Sequence, residues 1–114
     1  MSTHHKIDYV EWPANDLAPI RDFYSQAFGW GFTDYGPTYA GINQAGLDGG
    51  FDTDVSHGSA KPLVILYSDN LEQSREAVLK AGGVLIRDIF DFPGGRRFQF
   101  ADPSGNELGV WSDK

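Results

Sequence analysis

The same short unit is written twice in this chain, and that duplication restricts the possible folds more than any other feature. Asp16-Leu17 opens an amphipathic stretch that stops at Phe28-Gly29-Trp30, and Asn70-Leu71 opens another that stops at Gly82-Gly83-Val84. The two openings (70 − 16) and the two glycine stops (83 − 29) are both 54 residues apart. Farther on, Asn43-Gln44-Ala45-Gly46 aligns with Asp102-Pro103-Ser104-Gly105 at an offset of 59 (102 − 43), so the second copy carries a few extra loop residues. A short β/α unit cannot bury its apolar face alone, and two copies together build one sheet. A sheet made of paired halves offers a concave side suited to a small molecule.

Alternation and punctuation give the elements. Residues 6–12 (KIDYVEW) read as a strand with Tyr9 and Glu11 on one face and Val10 and Trp12 on the other. Asp16 is a helix cap, and Ile20, Phe23, Tyr24, Ala27 and Phe28 follow helical spacing, so a helix spans 17–28 and Gly29 closes it. Strands follow at 30–34, 38–43 and 47–53, and the polar segment 53–61 is a linker. Residues 63–67 (LVILY) are apolar on both faces, as in a central strand. Asn70 with Gln73 resembles a capping box for a second helix. Strands at 84–89, 97–101 and 107–112 complete the second copy, with a loop at 92–97 between two of them. The order is βαβββ twice, in a first module at 6–53 and a second at 62–112 of a single domain, 1–114. The fold class is α+β, with a concave mixed sheet and helices on its outer face.

Bulk properties remove several functional classes. A net charge of −7 and a pI near 4.6 disfavour nucleic acid and anionic membrane surfaces. The absence of cysteine excludes disulfides, thiol nucleophiles and thiolate metal sites. No apolar run approaches the roughly 20 residues of a membrane span, and residues 1–6 lack the apolar centre of a signal peptide. The expected location is the cytoplasm.

Candidate residues divide by strand face. Val10, Trp12, Leu66, Leu108 and Val110 should pack under the helices, while Tyr9, Leu63, Ile65, Tyr67 and Trp111 should line the opposite side. Glu11 shares that side with Tyr9, and Glu107 shares it with Gly109 and Trp111. These two acids are the candidate general bases. Asp48 and Asp52 flank Gly50 and should lie in water beyond the rim. His4, His5 and His57 read as solvated surface histidines, the first two in a fraying terminus. Ser25, Ser59, Ser68, Ser74 and Ser112 have no evident base partner. Only one of Arg96 and Arg97 should face a cavity, where it would take a ligand carboxylate. A surface ion pair to a nearby aspartate is the expected role ahead of ligand binding.

Several motifs together resemble the vicinal oxygen chelate superfamily, which groups glyoxalase I, bleomycin-resistance proteins and extradiol dioxygenases. They are the two helix–glycine stops, the turn Ala101-Asp102-Pro103-Ser104-Gly105-Asn106 and the closing strand Leu108-Gly109-Val110-Trp111. The opening Tyr9-Val10-Glu11-Trp12-Pro13-Ala14-Asn15-Asp16, with Phe23-Tyr24 and Phe28-Gly29-Trp30, resembles its glyoxalase-related branch. The resemblance implies paired βαβββ modules forming a cup and a homodimer. It also implies a divalent metal held by His, Gln or Glu from the first and last strands of the modules. Carried over position by position, those ligands fall on Tyr9, Gly50, Leu63 and Gly109. No divalent site is expected from Tyr, Gly, Leu and Gly, so no metal and no other cofactor is expected.

The expected function is that of a glyoxalase-like protein binding a small organic ligand without metal. The ligand-binding residues are Tyr9, Gly50, Leu63, Ile65, Tyr67, Gly109 and Trp111. The alternative is a lyase or isomerase acting on a small carbonyl compound, with Glu11 or Glu107 as base and Tyr9 or an arginine as electrophilic partner. A third possibility is an oligomerisation module whose cup is filled by its own aromatics.

Overall fold

The computed structural model describes residues 2–54 and 60–114. Residues 55–59 of the expected linker, with His57 and Ser59, lie outside the described residues. The elements are β1 (Ile7–Pro13), α1 (Leu17–Phe28), β2 (Gly31–Asp34), β3 (Tyr39–Asn43), β4 (Gly49–Asp52), β5 (Leu63–Tyr67), α2 (Leu71–Lys80), β6 (Val84–Phe92), β7 (Gly95–Ala101) and β8 (Glu107–Ser112). Eight strands and two helices make an α+β fold. The described chain divides into two compact units, residues 9–63 and residues 1–8 with 64–114.

Local chemistry sets the helix ends. The Asp16 carboxylate accepts from the Ala18 amide at 3.4 Å, and the Asn70 side chain accepts from the Gln73 amide at 3.1 Å. At the far end of α1, Gly29 adopts φ +75° and its amide donates to Ser25 O at 3.0 Å, a left-handed stop that a Cβ would strain.

In the unit of residues 9–63, β3 pairs antiparallel with β2 and β4, and β4 pairs parallel with β1. Helix α1 covers the face that carries Trp12, Phe32, Ala40, Ile42 and Phe51, and Leu17 is buried against it. Phe51 stacks on Trp12 at 5.1 Å between centroids and lies 5.4 Å from the Tyr24 ring.

The other unit repeats this order. β7 pairs antiparallel with β6 and β8, and β8 pairs parallel with β5. Its core is Leu71, Phe98 and Val110, surrounded by Leu66, Val78, Leu85, Ile89 and Phe100. Arg75 on α2 bonds Asp88 on β6 at 2.8 Å, and Arg96 on β7 grips Glu72 on α2 through two bonds of 2.6 and 3.2 Å. Arg96 holds the Glu72 carboxyl down at about 2.

One expectation needs correction here. Residues 92–97 are not a loop: β6 runs on to Phe92 and β7 begins at Gly95, with Phe92 paired to Gly95 around a two-residue Pro93-Gly94 turn. Proline at the first turn position and a left-handed glycine (φ +108°) at the second allow the hairpin to close without a longer connection.

The core assignment yields a direct test. Phe98, with no exposed surface, should cost about 3–5 kcal/mol on truncation to alanine. Val84→Ala, at a site 63% exposed, should cost under about 1 kcal/mol. Urea unfolding of the two variants measures both.

Candidate functional site

Strand register brings the first group of polar residues together. β1 sets Glu11 opposite Gly50 on β4, and β4 sets Gly50 opposite Gly41 on β3, so Glu11 and two glycines form one row. Paired residues project from the same face, here the face turned away from α1. With no side chain at position 50, the Tyr39 ring lies down across the strand. A Cβ added to Gly50 would collide with the Tyr39 ring and hydroxyl. Tyr35 covers Gly41 in the same way, its ring edge 2.7 Å from an added Cβ.

The flattened Tyr39 ring completes a hydrogen-bonded chain. Its hydroxyl donates to Glu11 Oε2 at 3.2 Å and meets the Tyr9 hydroxyl. Glu11 is 6% exposed, so its carboxylate depends on such donors. A phenol has one proton. Tyr39 gives its proton to Glu11, so Tyr9 must give its own to Tyr39, and the chain ends in a lone pair on Tyr9. Burial, reinforced by the Glu11 charge, pushes the Tyr9 hydroxyl up to about 12. The same two causes raise Tyr39 further. Both phenols are therefore protonated at neutral pH.

The neighbouring aspartates separate. Asp48 is exposed, as expected. Asp52 is not in open water: it is 8% exposed and its Oδ1 accepts from the Asp54 amide at 2.8 Å.

In the other unit, Ile65, Gly109 and Gln99 stand in one row, and Tyr67, Trp111 and Arg97 in the next. Tyr67 and Trp111 meet edge to face at 5.1 Å, and Trp111 Nε1 donates to Asp8 at 2.9 Å. The Tyr67 ring is buried, its hydroxyl donates to Asp113, and that bond raises its pKa. Glu107 accepts from Gln99 Nε2 at 2.7 Å. Arg97 shares this face and is buried, with its guanidinium 5.3 Å from the Phe90 ring centre. Arg96 points the opposite way, and its partner is Glu72 rather than an aspartate.

The first two histidines stay at the surface, His5 exposed and His4 partly buried, but they are tethered rather than frayed. His5 Nε2 lies 2.9 Å from Ser74 Oγ, which lies 2.6 Å from Ser68 Oγ, so both serines have partners that their spacing did not reveal. His4 Nδ1 accepts from the Asp69 amide at 2.9 Å, and the two imidazoles stack at 3.7 Å. Ser68 is fully buried and Ser74 is 5% exposed. That burial makes the group a clasp for the N-terminal segment rather than a nucleophile open to substrate.

The structure thus joins Tyr9, Glu11 and Gly50 in one unit. In the other it sets Ile65, Tyr67, Glu107, Gly109 and Trp111 on one face. Leu63 is buried at the start of β5. Tyr39 and Gln99 belong to these groups and were not singled out in the sequence; the bare strand glycine at 50 was the available signal for Tyr39. The four metal positions implied by resemblance hold a protonated phenol, an aliphatic side chain and two glycines, which is not the donor set of a divalent ion. Among the described residues, no three His, Cys, Asp or Glu side chains gather as a metal would need.

The phenols make stability fall at high pH. Tyrosines of the unfolded chain ionise near 10, whereas folded Tyr9 holds its proton to about 12. The unfolded state thus loses protons first, and the stability these phenols contribute below 10 is lost as pH rises toward 12. Urea midpoints should drop across that interval, and Tyr39→Phe should flatten the drop.

Comparison with known proteins places the chain as follows. The sequence profile of the Glyoxalase/Bleomycin resistance protein/Dioxygenase superfamily matches residues 6–110. No curated protein matches the sequence. Among solved structures, the chain is similar to a NAD-dependent benzaldehyde dehydrogenase from Legionella pneumophila (TM-score 0.76, 15% identity, covering 93% of this chain and 98% of that one). It is similar to methylmalonyl-CoA epimerase from Mycobacterium tuberculosis (TM-score 0.71, 14% identity, covering 98% and 91%). It is also similar to a Mn(II)-bound glyoxalase from Novosphingobium aromaticivorans (TM-score 0.68, 21% identity), covering 99% of this chain and 40% of that one.

Proposed function

Since this chain belongs to the Glyoxalase/Bleomycin resistance protein/Dioxygenase superfamily, we propose that it binds a small, partly apolar organic molecule on the polar face of its sheet without a divalent metal. The observation carrying this reading is the Tyr9–Tyr39–Glu11 chain lying across Gly50. Two of the four positions that resemblance assigns to metal ligands, Tyr9 and Gly50, lie within that chain. A protonated phenol donates and accepts hydrogen bonds but supplies no anionic oxygen, so this group orients a polar ligand atom where a metal site would coordinate one. Around it, tyrosine rings give the mixed apolar and polar lining of a small-molecule site.

Protein purified without a chelating tag should contain no stoichiometric metal by elemental analysis. Titration with Mn²⁺, Ni²⁺ or Zn²⁺ should give no tight site. Tight binding at one ion per chain that weakens in Tyr9→Phe would overturn the metal-free reading.

Catalysis is the second reading, and one observation favours it: Glu11 is a buried carboxylate in contact with a phenol that can stabilise a developing oxyanion. Here Glu11 removes a proton next to a carbonyl, and Tyr9 turns its hydroxyl from Tyr39 to donate to the substrate oxygen. Methylmalonyl-CoA is a fitting probe, because an epimerase of that substrate shares the fold. If this reading holds, the protein exchanges the substrate α-proton with D₂O, and Glu11→Gln lowers the rate by a factor of about 10²–10⁴. Glu107→Gln is the control for the other candidate base. Exchange that survives both substitutions removes these acids from the chemistry.

A further inference from the structure

A buried oxygen in the unit of residues 1–8 and 64–114 lacks the partner that its position demands. Gln99 is 2% exposed, and its Oε1 has no hydrogen-bond partner. Turning the amide over does not cure this. Gln99 Nε2 donates to Glu107 Oε2 at 2.7 Å, and the reversed amide would set oxygen against carboxylate. Two arginines share the face, yet both sit over aromatic rings: Arg87 is 3.7 Å and Arg97 is 5.3 Å from the centre of Phe90. Gly109, directly across the β7–β8 ladder from Gln99, has no side chain with which to reach it.

An unsatisfied buried acceptor is costly, and a donor brought by a bound molecule removes that cost. We infer that Gln99 is the specificity-determining residue of the ligand face, its Oε1 accepting a hydrogen bond from a hydroxyl or N–H group on the small molecule. Glu107 locks the amide so that the carbonyl end is the one offered. Gly109 and Ile65 stand in the same row as Gln99, so a ligand there meets a bare backbone position and an aliphatic side chain beside the amide. The ligand class is a small apolar molecule with one hydrogen-bond donor; an ether or ester of the same shape leaves the oxygen unpaired. This inference rests on the reading that the face binds a small molecule, and its test separates the two.

Benzyl alcohol and benzyl methyl ether share the ring and the oxygen, the ether replacing the hydroxyl proton with a methyl group, and they serve as probes. Binding to the full chain is followed by chemical shifts, including those of the Gln99 side-chain amide. The alcohol should bind roughly 5–150-fold more tightly than the ether, the ratio equivalent to one satisfied buried acceptor. In Gln99→Met, which keeps the length and loses both polar atoms, the two probes should bind equally. Gln99→Asn keeps an amide without adding a charge beside Glu107 but withdraws the acceptor, and it should narrow the ratio if Gln99→Met fails to fold. Equal binding of both probes to the wild-type protein, with the Gln99 resonances shifted, overturns the role of Gln99 but leaves the small-molecule reading intact. Binding of neither probe overturns both.

Discussion

Two-residue alternation along the strands is the constraint from which the rest of the structure follows. In β1, Val10 and Trp12 project toward α1, while Tyr9 and Glu11 project away from it. Trp12 is registered against Phe51 and stacks on it, so an apolar contact sets which residue of β4 stands beside Glu11. That residue is Gly50. A slip of one position would turn Glu11 into the aromatic layer under α1, where no donor awaits its carboxylate. Packing on one side of the sheet thus dictates hydrogen bonding on the other. The polar face inherits its geometry from aromatic rings that never touch it.

The parts of the fold legible in the sequence are those governed by local rules. Helix starts at Asp16 and Asn70, the glycine stop at 29 and the paired βαβββ order depend on residues a few positions apart, and the structure reproduces them. The turn at Pro93-Gly94 was obscured because adjacent glycines and arginines look alike in a loop and at the start of a strand; β7 had to be paired with β8 before Gly95 and Arg96 could be placed. The N-terminal clasp was hidden for a stronger reason. His5 and Ser74 are 69 positions apart, and His5 reaches its partner from a left-handed backbone (φ +61°) that no spacing rule anticipates.

The candidate site shows the same division. Tyr9, Glu11 and Gly50 could be named because strand parity puts them on one face. Tyr39 could not, since its part depends on lying flat across a neighbouring strand, and only the missing side chain at 50 permits this. Asp52 differs from expectation because parity says which way a side chain points but not how deeply its surroundings bury it. A residue's face is a property of its strand, whereas its burial belongs to the whole surrounding unit.

Two separate polar groups, one in each unit, follow one electrostatic logic. Each begins at a carboxylate, which takes the only proton or the nearer donor of its neighbour: Glu11 from Tyr39, and Glu107 from the Gln99 amide. The Tyr39 proton is thereby spent and the Gln99 amide is held in one orientation, so that each group ends in an oxygen, on Tyr9 in the first and on Gln99 in the second. Burial and the adjacent Glu11 hold the Tyr9 phenol in its neutral form, so it lacks the anionic oxygen of a metal-binding phenolate. A neutral acceptor in a dry environment is a good partner for a neutral donor, because the bond requires no ion to be stripped of water. Anchored on carboxylates and ending in uncharged oxygens, both polar groups have the character that the proposed hydroxyl or N–H ligand requires.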